Sequence, residues 1–353
     1  MYDLYGSELS LFTRKLEAAL RFYGVPFAFH NKRASPRRLE IEARAGTHQV
    51  PVLITPENWA LADTTPIIDL MDLRFPARRL FPEGALGVLT HIVEDCLDEW
   101  VARVMVHYRW HYPDSARFAA SEIAGGDAQA AEKISAWGPR ACRATGTEAV
   151  FHQRAAEDEY RQLLAAAEAQ LADTRFLLGD RPTAVDCMFL GGLHAHTLHD
   201  PDPRKIVLGY PRIVAWHAQN TASDFASQAW AADATWAPFP DSTPFARQVL
   251  RLTADQYRPF LLANAQALQT GSRAFTIDTY GEPTSYLCRP YPEQARTMIR
   301  QRIANRLDAP TGGVVQRIPL GHRRLRLLLM LAARLALRIH IGLQQLLHLG
   351  RQV

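Results

Sequence analysis

Two short motifs near the N-terminus have the residue types that bind a peptide-like ligand. Val50-Pro51 precedes an apolar run, and a proline in this position can take the cis form, which is common only for X–Pro bonds. A cis Pro51 would leave the backbone amide and carbonyl of Val50 free to pair with an extended peptide. Asp63-Thr64 precedes a predicted helix, whose free amides and positive dipole end attract a carboxylate. The alternatives are a trans proline at a strand start and a helix cap that holds no ligand.

The elements that would position these motifs alternate between strand and helix. The sequence predicts strands over residues 2–5 and 27–30, helices that end at Gly24 and Gly46, a hairpin of strands 50–54 and 59–62, and a helix that opens at Thr64. This order, βαβ followed by ββα, is the layout of a thioredoxin-like domain. We assign residues 1–78 to that domain.

The rest of the sequence has helical periodicity and few strand signals. Long helices are predicted over residues 86–111 and 148–171, and the stretch 115–147 between them is expected to be partly helical with a flexible loop. Thr183 and Asp186 form a capping box before a buried helix. We divide this part into a helical domain over 86–237, an additional segment over 238–312 without a chemical interpretation, and a basic leucine-rich helix over 313–353.

The ordered set of these motifs resembles the glutathione S-transferase superfamily. The set consists of Tyr5-Gly6-Ser7 through Arg14-Lys15, Val50-Pro51-Val52-Leu53, residues 62–68, the Thr183–Asp186 capping box and Tyr210-Pro211-Arg212. The resemblance implies an α/β thioredoxin-like domain, an all-α domain of the family's C-terminal type and a helical extension. It implies an enzyme that activates the thiol of glutathione and transfers it to a small hydrophobic electrophile in detoxification. A non-catalytic binding or scaffolding protein and a glutathione-dependent isomerase are the alternatives.

The resemblance also implies which residues hold glutathione. Val50 would pair with the cysteinyl unit, Thr64 would bind the γ-glutamyl carboxylate, and Asp63 would take the α-ammonium. His48 and Gln49 are expected to contact the glycyl end. The complete predicted set is His48, Gln49, Val50, Pro51, Asp63 and Thr64.

Thiol transfer needs a group that favours the thiolate, because a thiol near its reference pKa of about 8.5 is mostly protonated at neutral pH. A hydroxyl that donates to the sulfur at a helix N-terminus has this effect. Ser10 is the first candidate, by resemblance to the serine-type members. Leu11 stands where the family often has proline, so Ser7 and Thr13 are alternative donors, and a structural cap at Ser10 is a further alternative. No cysteine precedes Cys96, which argues against a cysteine-type mechanism.

The second substrate is expected along the first long helix of the helical domain, although aromatic residues at helical spacing also build cores. The predicted pocket consists of Phe12, Trp100, Val104, His107 and Tyr108. The triplet His194, His196 and His199 is not expected to bind a metal, because positions two apart on a helix point to different faces. Glutathione is therefore the expected co-substrate, without a metal.

Charge and composition exclude several functions. The 353-residue chain has a formal net charge of +4, but residues 309–353 contain seven arginines and no acid, so the rest is mildly acidic. Nucleic-acid binding by a distributed basic surface is therefore not expected. The N-terminus has no signal-peptide pattern, and we expect a cytoplasmic protein and, from the resemblance, a homodimer. Arginines within residues 323–349 argue against a membrane span there; peripheral membrane contact and packing on the body or a second subunit are the alternatives.

Overall fold

The structure is a computed structural model that describes residues 1–222, 234–238 and 243–307. Its N-terminal part alternates strands and helices in the predicted order. The elements are β1 Tyr2–Gly6, α1 Leu11–Tyr23, β2 Phe27–Asn31, α2 Arg38–Ala45, β3 Val52–Ile54, β4 Ala60–Ala62 and α3 Thr64–Arg74. The strand order is β2-β1-β3-β4, with β1 parallel to β2 and antiparallel to β3. This mixed sheet confirms the thioredoxin-like layout.

The two faces of this sheet bury separate cores, because successive side chains of a strand point to opposite faces. Leu4 and Leu53 belong to the large core that includes α1 and α3. Tyr5 and Val52 instead pack with Ile41 of α2 in a small cluster on the other face. The sheet thereby holds α1 on the same side as α3, the helix that begins at the Asp63–Thr64 motif.

Gly6 allows the end of β1 to approach α1 closely. A Cβ atom at Gly6 would lie 2.2 Å from the Thr13 side chain, so a larger residue does not fit without displacing the helix. Thr13 is fully buried there and accepts a hydrogen bond from the Ser7 amide at 3.3 Å. The turn that carries Ser7 and Ser10 is therefore fixed against the start of α1.

A helical part follows the sheet. Its helices are α4 Gly84–Asp95, α5 Ala102–His111, α6 Pro113–Ala124, α7 Ala128–Ser135, α8 Gly138–Ala144, α9 Val150–Asp173, α10 Ala184–Gly192, α11 Pro201–Val207 and α12 Pro211–Thr221. A π-helical turn over Cys96–Val101 joins α4 to α5, and the predicted Thr183–Asp186 capping box is present at α10. The flexible loop expected within residues 115–147 stays a prediction. Three short helices occupy the stretch, since Pro113 and the Asp127 cap each start one.

Helix α10 of the helical part packs against α1 of the sheet domain. A Cβ atom at Gly191 would come within 2.5 Å of the Leu11 carbonyl oxygen, so the small residue lets α10 lie directly against α1. All of α10 is buried. The position of the α1 N-terminus therefore depends on both parts of the chain.

The C-terminal segment contains a β-hairpin that the sequence interpretation does not include. The elements of the segment are α13 Pro244–Leu252, α14 Arg258–Gln269, β5 Ala274–Thr279, β6 Glu282–Leu287 and α15 Pro290–Leu307, and β5 and β6 form the hairpin. Tyr280 and Gly281 both have positive φ and form the two-residue turn between the strands. Phe275 and Ile277 alternate with polar residues in β5, which was the available signal.

The predicted basic helix over 313–353 lies outside the described residues, together with the predictions made for it. Within residues 1–222, 234–238 and 243–307, no helix has the length and apolar character needed to cross a membrane.

Candidate active site

A cavity of about 640 Å³ lies where the sheet domain, the α4–α5 region and the C-terminal segment meet. Its size is in the range of small-molecule sites, about 300–1,000 Å³. Residues from all three regions line it, including Leu11, Phe12, Gln49, Val50, Pro51, Asp63, Thr64, Asp98, Glu99, Trp100, Arg103, Val106, Phe260, Tyr286, Arg289, Tyr291 and Gln294. The two ligand motifs recognised in the sequence thus face one cavity.

The first motif presents an open stretch of backbone. The Val50–Pro51 peptide bond is cis, as predicted. Among the described residues, no hydrogen bond involves the Val50 amide or carbonyl, and both groups precede β3. The buried Lys32 donates to the Gln49 carbonyl at 2.7 Å and holds the preceding residue. His48, by contrast, is exposed and does not line the cavity.

The second motif begins α3 with an unusual backbone conformation. Asp63 has φ 74° and ψ 117°, and its side chain makes no capping hydrogen bond to the helix. Such a conformation costs on the order of 1–3 kcal/mol and persists where the surrounding structure enforces it, often at ligand sites. The carboxylate instead accepts a hydrogen bond from the Tyr291 hydroxyl at 2.7 Å. Asp63 is therefore oriented at the cavity wall and not used as a helix cap.

The pKa of Asp63 reflects two opposing effects. Burial raises the pKa of this carboxyl above its usual value, and the hydrogen bond from Tyr291 and the positive charge of Lys15 counteract that rise. Tyr291 thus favours the ionised form of Asp63, the form that pairs with a cation.

A buried ion cluster lies behind the Asp63–Thr64 end of the cavity. The ammonium of Lys15 is fully buried and contacts the carboxylate of Glu94, the Asp98 carboxylate at 3.1 Å and the Thr65 hydroxyl at 3.2 Å. Burial alone would lower the pKa of Lys15, but Asp98 and Glu94 more than offset this and raise it above its ordinary value. Lys15 is therefore charged throughout the physiological pH range. The sequence interpretation assigned it no role, although its spacing of four residues from Leu11 places it on the buried face of α1.

The predicted thiol-activating hydroxyls lie beside the cavity and not in its lining. Ser10 is the N-cap of α1, and its Oγ accepts from the Thr13 amide at 3.2 Å. The hydroxyl is half-buried, its hydrogen has no acceptor among the described residues, and the next two residues along the chain line the cavity. Ser7 Oγ accepts from the Leu9 amide at 3.3 Å. Thr13, being fully buried, faces away from any ligand.

The residues predicted to hold the second substrate do not all line this cavity. Phe12 and Trp100 line the cavity, but Val104, His107 and Tyr108 are buried outside it. Two residues of α5 that line the cavity, Arg103 and Val106, are one position earlier along the chain than the predicted Val104 and His107. The cavity wall after Trp100 is formed instead by Ala102, Arg103 and Val106, together with Phe260 and Tyr286 from the C-terminal segment.

The chain thus combines a thioredoxin-like sheet domain with a helical part, and residues of both line one cavity. The family model described as the glutathione S-transferase N-terminal domain matches residues 4–79. The model described as the glutathione S-transferase C-terminal domain matches residues 98–219. Together they cover more than half of the sequence, and the chain belongs to the glutathione S-transferase superfamily.

The solved structures that match this chain are distant in sequence. A glutathione S-transferase from Rhodospirillum rubrum is 15% identical, with 70% of this chain and 99% of that chain covered and a TM-score of 0.38. The β-etherase LigF from Sphingobium is 15% identical, with 64% and 97% covered and a TM-score of 0.44. A glutathione S-transferase from Methylobacterium radiotolerans, in complex with glutathione sulfonate, is 17% identical, with 67% and 98% covered and a TM-score of 0.41. No curated protein matches this chain.

Proposed function

We propose that the protein binds glutathione in the cavity and transfers its thiolate to a small hydrophobic electrophile. One observation carries the proposal: the unpaired backbone of Val50 and the Asp63–Thr64 helix start line the same cavity. An extended peptide with a carboxylate at one end can use both at once. Membership of the superfamily supports glutathione as that peptide.

In this proposal each end of glutathione has its own partners. The cysteinyl unit pairs with the Val50 backbone, and the γ-glutamyl carboxylate binds the α3 N-terminus at Thr64. Asp63 takes the α-ammonium, and Gln49 lies on the glycyl side. The sulfur is then directed toward the start of α1, where Ser10 donates its free hydroxyl hydrogen to the thiolate.

The remaining cavity wall suits an apolar electrophile. Phe12, Val106 and Phe260 contribute apolar surface, and Trp100 and Tyr286 contribute aromatic rings. Arg103 also lines this side, but it contacts Glu159 and the Tyr280 hydroxyl, so its charge is compensated. We extend the proposal to a cytoplasmic homodimer that acts in detoxification, as the resemblance implies.

A second candidate function follows from the placement of the serines. Neither Ser10 nor Ser7 belongs to the cavity lining. A binding protein that holds glutathione without activating its thiol would need neither serine in the lining. The two functions differ in the pKa of the bound thiol, which is lowered only in the transferase.

The substitution Asp63→Asn tests the proposed ammonium contact. Asparagine tolerates positive φ, and its side-chain carbonyl still accepts a hydrogen bond from Tyr291, so the thermal stability is expected to change little. Loss of the negative charge removes a hydrogen bond to a charged group, worth about 1.5–3 kcal/mol, so affinity for glutathione should fall roughly 10- to 100-fold. Isothermal titration calorimetry measures this change.

The matched control is Asp278→Asn, which makes the same charge change on an exposed residue of β5. Its glutathione affinity is expected to equal that of the wild type. Equal affinity of Asp63→Asn and the wild type would contradict the proposed binding mode.

A further inference from the structure

Two residues of the C-terminal segment, Arg289 and Tyr291, line the acidic end of the cavity, which is the end that contains Asp63, Asp98 and Glu99. The backbone that carries them is fixed. Asn264 of α14 is fully buried, donates to the Arg289 carbonyl at 2.8 Å and accepts from the Arg289 amide at 2.8 Å. A side-chain amide that satisfies both backbone groups of one residue fixes that residue in place. Arg289 and, two residues later, Tyr291 both line the cavity.

Tyr291 joins this segment to the ligand motif of the sheet domain. Its hydroxyl donates to Oδ1 of Asp63, which lies 228 residues away in the sequence. Tyr291 follows Pro290, which begins α15, so the ring is part of a helix start. A carboxylate has further acceptor sites on its second oxygen. Asp63 can therefore keep this hydrogen bond and accept from a ligand as well.

The charges around this end of the cavity favour a cationic group. Asp63, Asp98 and Glu99 all line it. Lys15 contacts Asp98, and Arg289 lies 3.2 Å from Glu99. Burial raises the pKa of the Glu99 carboxyl, and Arg289 and Lys15 oppose that rise. Lys15 is shared between Asp98 and Glu94, and Arg289 pairs with Glu99. Asp63 has no ion pair among the described residues, so an ammonium from the ligand would supply its partner.

We propose that the C-terminal segment completes the glutathione site, with Tyr291 as a positioning residue that holds the Asp63 carboxylate toward the α-ammonium of the γ-glutamyl unit. Arg289 compensates Glu99 in the same wall, so that Asp63 is the carboxylate left for the ligand. Selectivity for ligands with a free amino group then depends on a contact between the sheet domain and the C-terminal segment. This inference rests on the proposed function.

The test compares two ligands on the full-length protein by isothermal titration calorimetry. One ligand is glutathione, and the other is glutaryl-cysteinyl-glycine, which lacks only the amino group. Tyr291→Phe should weaken glutathione binding several-fold, up to about tenfold, because an Asp63 carboxylate that is no longer held must be ordered when the ligand binds. Binding of the deaminated analogue should stay within about twofold, because the analogue has no group for Asp63 to hold.

Tyr257→Phe is the matched control, because Tyr257 of the same segment also donates to an aspartate, Asp95, at 2.8 Å but does not line the cavity. Its binding of both ligands should be unchanged. If Tyr291→Phe binds glutathione as well as or better than the wild type, or loses affinity for both ligands equally, the positioning role is wrong. If the wild type binds neither ligand, the proposed function itself is wrong, and the inference falls with it.

Discussion

Replacement of Ser10 by glycine is expected to lower kcat/KM for thiol transfer roughly 10- to 100-fold and to return the pKa of bound glutathione toward about 8.5. The proposed role of Ser10 is to donate its free hydroxyl hydrogen to the thiolate. Glycine removes that donor but costs a helix N-cap only a few tenths of a kcal/mol. Steady-state kinetics and the ultraviolet absorbance of the bound thiolate measure the two effects.

Two further variants identify the donor. Ser10→Thr keeps both the hydroxyl and the cap and should retain most of the activity. Ser7→Ala removes the alternative hydroxyl, whose oxygen now accepts from the Leu9 amide. A thiol pKa that is unchanged in Ser10→Gly but raised in Ser7→Ala would assign the role to Ser7. An unchanged pKa in both would contradict activation by either serine.

Replacement of Lys15 by methionine is expected to lower the free energy of unfolding by about 3–5 kcal/mol, the usual cost of removing one partner from a buried ion pair. The ammonium is fully buried between Glu94 and Asp98. Without it, two buried carboxylates lose their compensating charge. Urea denaturation measures the change. Lys205→Met, which removes an exposed ion pair with Asp202, is the control and should shift stability by less than about 0.5 kcal/mol.

The loss of unfolding free energy caused by Lys15→Met, here called the deficit, should become smaller as the pH falls. Lys15 has a raised pKa in the folded protein, so it is charged in both the folded and the unfolded state between about pH 5 and 8, and any change of the deficit in that range comes from the carboxyls. Burial raises the pKa of Asp98 well above its ordinary value, and losing Lys15 raises it further. When a carboxyl has a raised pKa in the folded state, the free energy of unfolding of the protein increases as the pH falls through that pKa. A deficit that grows as the pH falls from 8 to 5 would contradict this expectation.

The N-terminal fold could be predicted because its signals are local. Gly24 and Gly46 end α1 and α2 in the left-handed conformation, and apolar residues recur at the spacing of each element. The capping box that starts α10 is likewise contained in four residues, Thr183 to Asp186. Such signals do not depend on what the element later packs against.

The parts of the site that could not be predicted depend on contacts between distant residues. Tyr291 and Asp63 are separated by 228 positions, and nothing local to either residue indicates the other. Helical spacing groups Val104, His107 and Tyr108 with Trp100, but it does not indicate which face of the helix lines the cavity. Lys15 did leave a signal, a charged residue on an otherwise apolar helix face, which indicates a buried partner.

The most direct test of the proposed transferase is the pKa of the glutathione thiol in the complex with the wild-type protein. Thiolate absorbance is followed as the pH is raised, with free glutathione as the reference. The account predicts saturable binding and a bound thiol that ionises well below the free value of about 8.5. Binding without a shift would contradict thiol activation and favour a non-catalytic glutathione-binding protein. Absence of binding would contradict the assignment of the cavity to glutathione.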